Sequence, residues 1–548
     1  MNKKHFIPAI CYLMFAASYL MISCQDSAWD DHYGLHEGSS QTLMEILDNN
    51  NQFSEFARIV RQNGLDSLLS ADQSYTVWAP TNNAMAKYVD NGQTVEHFIK
   101  NHINRYLYGV ANLTDTSYVR IKMLNDKLQD YTRSGSNYSF AGVSVDDKSL
   151  LAGNGVVHTL NDIAPFYFNL YEDIKQTSYN TDSLAAYLNT MDVYTFNQDA
   201  STVIGKDAAG QLVYDSVFNY SSKFMKRFGD IYLEDSLYTM LVPLNNAWNE
   251  GFEKVSKYFR TFGECLSSSE NSTTYVPTRT YAVGDSISDS LTTAHTKENM
   301  VSNLIFRRKV DFSNADGDSL TATSGNVFHH PINLIAEAKQ EMLSNGTAWK
   351  LSKWNYNPED CFLKVIEVEA EDTKGRSNAY STVYTRSATS TSYSDSVSGT
   401  KYIEIQATST NVRNQPMVQF TIPNTLAATY NIYCVFVPAE AYSEDVKADS
   451  TRVNFYLNYV DEKGNMKESA AIKSDIITNG HAMTKMFVAQ VTLPYANFSS
   501  SVFKETDVQD TDCMRLRVQT NVASNETSKL SRTIRIDKII FEPVVNNE

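Results

Sequence analysis

The chain has 548 residues, with 63 Asp and Glu against 47 Lys and Arg, a formal net charge of −16, and 42% hydrophobic and 12% aromatic content. That much apolar material excludes a disordered, solvating chain, and the length implies three or four domains rather than one core. The acidic balance lacks the basic footprint that phosphate neutralisation requires, which excludes nucleic acid as a partner.

At the N-terminus, Lys3 and Lys4 precede an apolar stretch from Phe6 to Ile22 that ends in Ser23 and Cys24. The run is short for a bilayer span and polar Gln25, Asp26 and Ser27 follow at once, so residues 1–23 read as a signal peptide. Ser23-Cys24 resembles the bacterial lipobox, in which the Cys becomes the lipidated first residue of the mature chain, although Met21 stands where that family usually has Leu. The resemblance implies acyl (palmitate-type) attachment of Cys24 to the outer membrane. Residues 24–34 read as a tether, and Asp26, Asp30 and Asp31 resemble the export signal of Bacteroidetes-type surface lipoproteins. Cleavage would remove two positive charges and take the net charge from −16 to −18, so acyl chains rather than charge would hold the protein at a membrane.

Helical patterns at Gln41–Leu47 and Gln52–Val60 lead into Tyr75-Thr-Val-Trp-Ala-Pro80-Thr-Asn-Asn-Ala-Met85, which recurs as Tyr238-Thr-Met-Leu-Val-Pro243-Leu-Asn-Asn-Ala-Trp248. Each copy is a β-prone run closed by a Pro, with polar residues opening a helix. Thr81 is suited to cap the first helix; in the second copy Leu244 is not, and Asn245 is expected to replace it. A second landmark follows each copy, Asn154-Gly-Val-Val-His158 and Asn345-Gly-Thr-Ala-Trp349, where Asn-Gly predicts a tight turn into a strand. Together these segments resemble the fasciclin-like domain. The resemblance implies two α+β modules, residues 35–168 and 169–364, the second with a polar insertion near 265–290.

From residue 365 the texture changes to short alternating strands. They lie at Lys401–Gln406, Met417–Ile422, Tyr430–Val437, Val453–Val460, Met486–Leu493, Met514–Val518 and Ile534–Phe541, a spacing that predicts an all-β sandwich over 365–548. Ile366-Glu-Val-Glu-Ala-Glu-Asp372, Phe420-Thr-Ile-Pro423 and Ile536-Asp-Lys-Ile-Ile-Phe541 resemble a carbohydrate-binding jelly roll of the galactose-binding-like type. The expected fold class is therefore multidomain: two α+β modules followed by a β-sandwich.

The motifs of common chemistries are absent: no G-x-S-x-G elbow, H-E-x-x-H, Walker loop or dinucleotide fingerprint. No catalytic residue is therefore named, and no cofactor beyond a structural ion. In jelly rolls of this kind, acidic residues of the first and last strands hold a structural Ca2+, and the matching positions are Glu369, Glu371 and Asp537; the plainer reading is solvated strand-edge charge. Sugar binding needs an aromatic plate ringed by hydrogen-bonding groups. Tyr380, Tyr384, Tyr393 and Tyr402 are the candidates, against the plainer reading of half-buried strand residues. His158, Trp78 and Trp248 read as core, and adjacent His329 and His330 as a surface turn rather than a zinc site. Cys265, Cys361, Cys434 and Cys513 lack metal-type spacing and leave free thiols or any of three disulfide pairings open.

The functional expectation is a non-enzymatic outer-membrane lipoprotein that binds a glycan or another extracellular ligand beside a TonB-dependent transporter. The alternative is an adhesive or structural protein that binds other proteins or host matrix through its fasciclin-like modules.

Overall fold

The computed structural model describes residues 40–86, 95–109, 113–114, 117–176, 180–206, 209–312, 319–389, 391–443, 445–497 and 514–545. The signal peptide, Cys24, the acidic tether and Cys513 lie outside them. The chain forms two compact units. One contains the first module with Ile231–Leu237 and Met342–Gly346; the other contains most of the second module and all of the sandwich.

In the first module, α1 (Leu43–Asn49) opens on a capping box between Thr42 and Glu45, and α2 is Ser54–Gln62. The two signature segments become strands β1 (Tyr75–Pro80) and β2 (Gly155–Leu160), which pair in parallel from Tyr75↔Gly155 to Pro80↔Leu160. Both are buried along their whole length, as expected of parallel strands covered on two faces. Alternation along β1 sends Val77 and Ala79 towards the helices, against Leu43, Phe56 and Val60. Trp78 goes to the opposite side, stacked on Phe140 at 4.3 Å, and is core as expected.

Hydrogen bonding accounts for the repeated Asn-Gly landmark. Asn154 Oδ1 accepts from the Leu43 amide at 2.7 Å while its Nδ2 donates to the carbonyls of Leu69 and Ala71 at 2.9 and 2.6 Å. Asn345 repeats this, accepting from Leu170 at 2.9 Å and donating to Ile231 and Leu233 at 2.8 and 3.0 Å. Gly155 is obligatory: at φ +153 a Cβ would stand 2.1 Å from the Tyr75 carbonyl oxygen. The Asn-Asn pair after each Pro is also structural. Thr81 caps its helix as predicted, but Asn245 does not replace the missing cap at Leu244. Its Oδ1 accepts instead from the Ser183 amide at 3.0 Å, as Asn82 accepts from Glu55 at 3.0 Å, so both tie down a preceding helix.

Two buried histidines belong to the same first-module scaffold. His158 Nε2 donates to the Tyr108 carbonyl at 2.6 Å and Nδ1 accepts from Ser149 at 3.1 Å; His102 bridges the Phe98 carbonyl (2.8 Å) and the Ala164 amide (3.2 Å). These partners hold the neutral ring, and burial lowers each pKa from 6.5 to about 4. The unfolded chain therefore takes up these protons first, and the stability they contribute, complete above 6.5, is lost as pH falls towards 4. Each site is worth on the order of 3 kcal/mol. Near-ultraviolet dichroism should report acid loss of the first module over this range, with a smaller pH dependence in His102→Gln and His158→Gln; equal dependence in both variants would refute the assignment.

The second module builds β3 (Tyr238–Pro243), α3 (Asn245–Ser256), the hairpin β4 (Cys265–Glu270) and β5 (Pro277–Tyr281), α4 (Ser286–Ser302) and β6 (Gly346–Leu351). Trp248 on α3 is buried. A separate two-stranded ribbon, Asp192–Lys206 with Leu212–Ser222, carries Tyr194, Phe196, Phe218 and Leu212 exposed.

The sandwich strands are β7 (Ile366–Glu369), β8 (Arg376–Ala379), β9 (Ser381–Ser387), β10 (Lys401–Ala407), β11 (Met417–Thr421), β12 (Thr429–Phe436), β13 (Arg452–Val460), β14 (Asn465–Glu468), β15 (Lys473–Ile477), β16 (Thr484–Thr492), β17 (Arg515–Thr520) and β18 (Ile534–Pro543). One sheet runs β9-β10-β18-β12-β16, with β7 on β18. The other runs β4-β5-β14-β13-β17-β11-β8, with β15 on β13. Strand alternation supplies the core between them: Phe420, Phe455, Leu457, Leu516 and Val518 from the second sheet meet Ile403, Ile432, Cys434, Ile539 and Phe541 from the first. Each such side chain contributes roughly 1.5–3 kcal/mol of burial. Cys434 is thus a small core hydrophobe, as expected.

Within the polar insertion expected near 265–290, residues 265–281 form a hairpin that extends the sandwich sheet by two strands, through Arg279↔Met466 and Thr280↔Asn465. Polar Ser and Thr side chains suit an edge hairpin with one wet face.

Candidate functional site

The same alternation that fills the core fixes what the other face of the β8–β14 sheet carries. Cross-strand partners share a face, and the register Ser377↔Gln419↔Arg517↔Tyr456 aligns four polar or aromatic residues across β8, β11, β17 and β13. The next row holds Thr421, Arg515, Asn458 and Glu468, and the row on the other side holds Gln519 and Asn454. The result is a polar floor spanning five strands.

Its electrostatics are largely closed. Arg517 forms a fork on Glu468, with two contacts of 2.7 Å, and its guanidinium lies 3.8 Å from the ring centre of Tyr456. Its hydrogen-bonding capacity is not closed. Gln419 and Asn458 are each 1% exposed, yet Gln419 Oε1, Asn458 Oδ1 and the hydroxyl of Ser377 have no partner among the described residues. Leaving such atoms unmet costs about 1–3 kcal/mol each, so this face carries hydrogen-bonding capacity that the described residues do not fill. Neutral acceptors and one hydroxyl beside an aromatic ring match the pattern that sugar recognition requires.

The tyrosines expected to stack on sugar lie elsewhere. Tyr402 is 0% exposed, packed among Ala388, Val397, Val437 and Ala441, and burial pushes its hydroxyl up to about 12; it has no open face and cannot serve as a plate. Tyr393 packs against that cluster and donates to the His481 carbonyl at 3.0 Å. Tyr384 is 41% exposed on β9 beneath the Arg386 guanidinium at 4.9 Å, and Tyr380 sits at φ +56 in the turn between β8 and β9. The four do not assemble into one surface. The floor residues were legible in principle: Val453-Asn-Phe-Tyr-Leu-Asn458 and Arg515-Leu-Arg-Val-Gln519 alternate core with polar or aromatic positions.

The three acidic candidates do come together. Glu369 ends β7, Asp537 lies on β18, and Ser398 stands between them, its hydroxyl donating to Glu369 at 2.8 Å and its amide to Asp537 at 3.0 Å. Glu369 Oε2 and Glu371 Oε2 are buried and unpartnered among the described residues. Burial first, then the charges of Glu369 and Glu371, raise Asp537 from 3.8 to about 7, against the opposing Ser398 amide. Burial likewise raises Glu371, with Glu369 adding to it. Oxygen donors with orphaned lone pairs are the type a hard cation such as Ca2+ takes, but among the described residues no group of three or more His, Cys, Asp or Glu side chains is placed to hold a metal ion.

Other features close on themselves. His329 Nδ1 pairs with Asp360 at 2.8 Å, and Cys265, Cys361 and Cys434 are free thiols, the last two buried. Lys127 is buried between Glu172 (2.5 Å) and Glu234 (2.6 Å), a paired structural cation. A cavity of about 520 Å³ lies between the second module and the sandwich, lined by Tyr258, Met300, Trp354 and Phe362. Its polar walls satisfy one another, Thr429 with Thr492 at 2.8 Å and Lys254 with Glu250 at 2.6 Å, so it reads as a packing seam.

Residues 51–164 match the family model described as Fasciclin domain. Transforming growth factor-beta-induced protein ig-h3 of Sus scrofa is 27% identical over 130 residues, and that of Oryctolagus cuniculus 25% over 135, covering 22% and 23% of this chain. Each match covers 19% of the relative, so the chain spans about a fifth of the length of the curated relatives it matches. Among solved structures, a FAS1 domain pair from the insect cell adhesion molecule Fasciclin I covers 57% of this chain and 99% of its own, at 12% identity and TM-score 0.20. The CBM22-1 xylan-binding domain of Paenibacillus barcinonensis Xyn10C covers 34% and 95%, at 12% identity and TM-score 0.21. Likenesses at this level describe chain span and carry no mechanism. The family match falls on the first module, where both signature segments were recognised.

Proposed function

We propose that this chain is a non-enzymatic surface lipoprotein, anchored through Cys24 in the outer membrane of a Bacteroidetes-type bacterium. Its sandwich captures an oligosaccharide for a TonB-dependent uptake system. The observation that carries the binding half of this reading is the polar floor, with Gln419 and Asn458 buried and incompletely hydrogen-bonded beside Tyr456 and Arg517. An extended glycan offers many hydroxyl donors at fixed spacing, which is the complement of such a floor. Glu369, Glu371 and Asp537 take the role of a structural Ca2+ site on the far sheet, away from chemistry. The anchor and the transporter rest on the sequence resemblance alone.

Binding of the full chain to a printed panel of plant, microbial and host oligosaccharides tests the reading. The expected result is a defined set of hits lost in Tyr456→Ala, with the variant's melting curve unchanged. A blank panel, or hits that survive Tyr456→Ala, would remove the sandwich as the capture site. A second reading, adhesion to proteins or matrix through the fasciclin-like modules, is favoured by the family match over residues 51–164.

A further inference from the structure

The first module carries a cavity that sugar capture by the sandwich leaves unused. We infer that this cavity binds an organic cation, an ammonium group on an aliphatic stem, which reaches it as a free amine or as a basic side chain of a partner protein. Its volume is about 360 Å³, at the small end of the roughly 300–1,000 Å³ that ligand pockets occupy, and all its walls belong to one compact unit.

Three stretches far apart in sequence build it. One wall is the turn from Lys122 to Leu128, between the strands Tyr118–Lys122 and Leu128–Ser134. Within that turn the Met123 amide donates to the Lys127 carbonyl at 2.8 Å, and Asn125 Oδ1 accepts from the Lys127 amide at 3.2 Å. A second wall is Tyr232–Asp235. Asn169 Nδ2 holds it by donating to the Tyr232 carbonyl at 3.1 Å, and Asn345 Nδ2 by donating to the Leu233 carbonyl at 3.0 Å. Asn169 and Glu172 complete the lining. The second Asn-Gly word thus shapes a cavity as well as a fold, and a ligand finds walls that are already ordered.

The lining is acidic. Four carboxylates, Asp126, Glu172, Glu234 and Asp235, stand against two ammonium groups, Lys122 and Lys127, a formal −2. Lys127 is already satisfied: it is buried, pairs with Glu172 and Glu234 at 2.5 and 2.6 Å, and lies 5.5 Å from the ring centre of Phe166. Lys122 pairs with Asp126 at 3.0 Å. What remains is negative. The Glu234 side chain is 10% exposed and its Oε2 has no hydrogen-bond partner among the described residues, while Asp235 is exposed. Burial first, then the charges of Asp126, Glu172 and Glu234, push the Tyr232 hydroxyl up, with Lys122 opposing, so this ring stands in the field that a cation would neutralise. Tyr232 is also half exposed, and with Leu128 and Leu233 it offers apolar surface to a stem and a π face to its charge. A neutral sugar gains nothing from the excess charge, and an anion is repelled by it.

The test is calorimetry on the full chain at low ionic strength with three probes: n-butylammonium, n-butanol as its uncharged counterpart, and a capped Gly-Lys-Gly peptide. Butylammonium should bind and butanol should not, and the affinity should fall when added salt screens the lining. Tyr232→Ala should weaken binding about tenfold and Asp235→Asn about threefold, with melting curves unchanged because both positions are exposed. A peptide that binds more tightly than butylammonium assigns the cavity to a basic side chain of a partner; a peptide that binds no better assigns it to a free amine. Failure of both cations to bind, butanol binding as well as butylammonium, or both variants binding like the parent would overturn the proposal.

Discussion

Raising the pH from about 5 to about 8 in EDTA should lower the melting temperature of the sandwich, and Ca2+ should abolish that fall. Asp537 has its pKa raised from 3.8 to about 7, so between these values the folded chain holds a proton that the unfolded chain has released. Stability from this site is full below the unfolded value and is lost as pH climbs through the folded one, a span worth on the order of 4 kcal/mol. The cause is three carboxyl groups gathered with few donors, Ser398 being the main one. A divalent cation neutralises the same repulsion that the proton does, so its benefit should be large near pH 8 and small near pH 5, by roughly the same energy. Asp537→Asn should remove the pH dependence and blunt the response to Ca2+. A melting temperature that ignores both Ca2+ and this substitution would show that the acidic group is ordinary surface charge. The direction is opposite to that of His102 and His158, so the first module and the sandwich should lose stability at opposite ends of the pH scale.

Gly464→Ala is expected to unseat the hairpin. Gly464 lies in the β13–β14 turn at φ +79, and a Cβ there would stand 2.3 Å from the Tyr281 carbonyl oxygen and 3.0 Å from Val283 Cγ1. Its own carbonyl accepts from the Tyr281 amide at 2.8 Å, so turn and strand are in backbone contact. The left-handed conformation alone costs Ala roughly 1–2 kcal/mol. Relieving the clash means withdrawing Tyr281, the end of β5, from Val460, Met466 and Tyr495, for a total on the order of 3–4 kcal/mol in urea unfolding. Gly284→Ala is the control, since Gly284 has φ +66 but nothing within 4 Å. Equal losses in the two variants would mean that the seated hairpin contributes no stability.

Much of this architecture is readable in the sequence because it is local. The strand-Pro-helix word and the Asn-Gly word each name residues whose partners lie within one module, and the sandwich strands fall where alternation puts them. What is not readable is what depends on partners far apart in the chain. Tyr384 and Tyr402 look equivalent in their alternating strands, yet one is exposed midway along the edge strand β9 and the other is sealed beneath Val397 and Val437. The polar face became a site only when β11, β13 and β17 were set side by side, since no one of these strands carries more than three of its residues. The pairing of residues 265–281 is not readable because their partner, β14, lies beyond the intervening second-module elements. Asn458 and Pro277, which join the two, are 181 residues apart.

The Asn-Gly words also set a chemical clock. Asn followed by Gly is the pair most prone to lose its side-chain amide by cyclisation onto the next backbone nitrogen, a reaction that needs a mobile backbone. Asn154 and Asn345 are protected by burial and by three hydrogen bonds each. Conversion to a carboxylate would delete the two donated bonds and set negative charge against two carbonyl oxygens. Any opening of a module long enough for that reaction at Asn154 or Asn345 is therefore not repaired on closing.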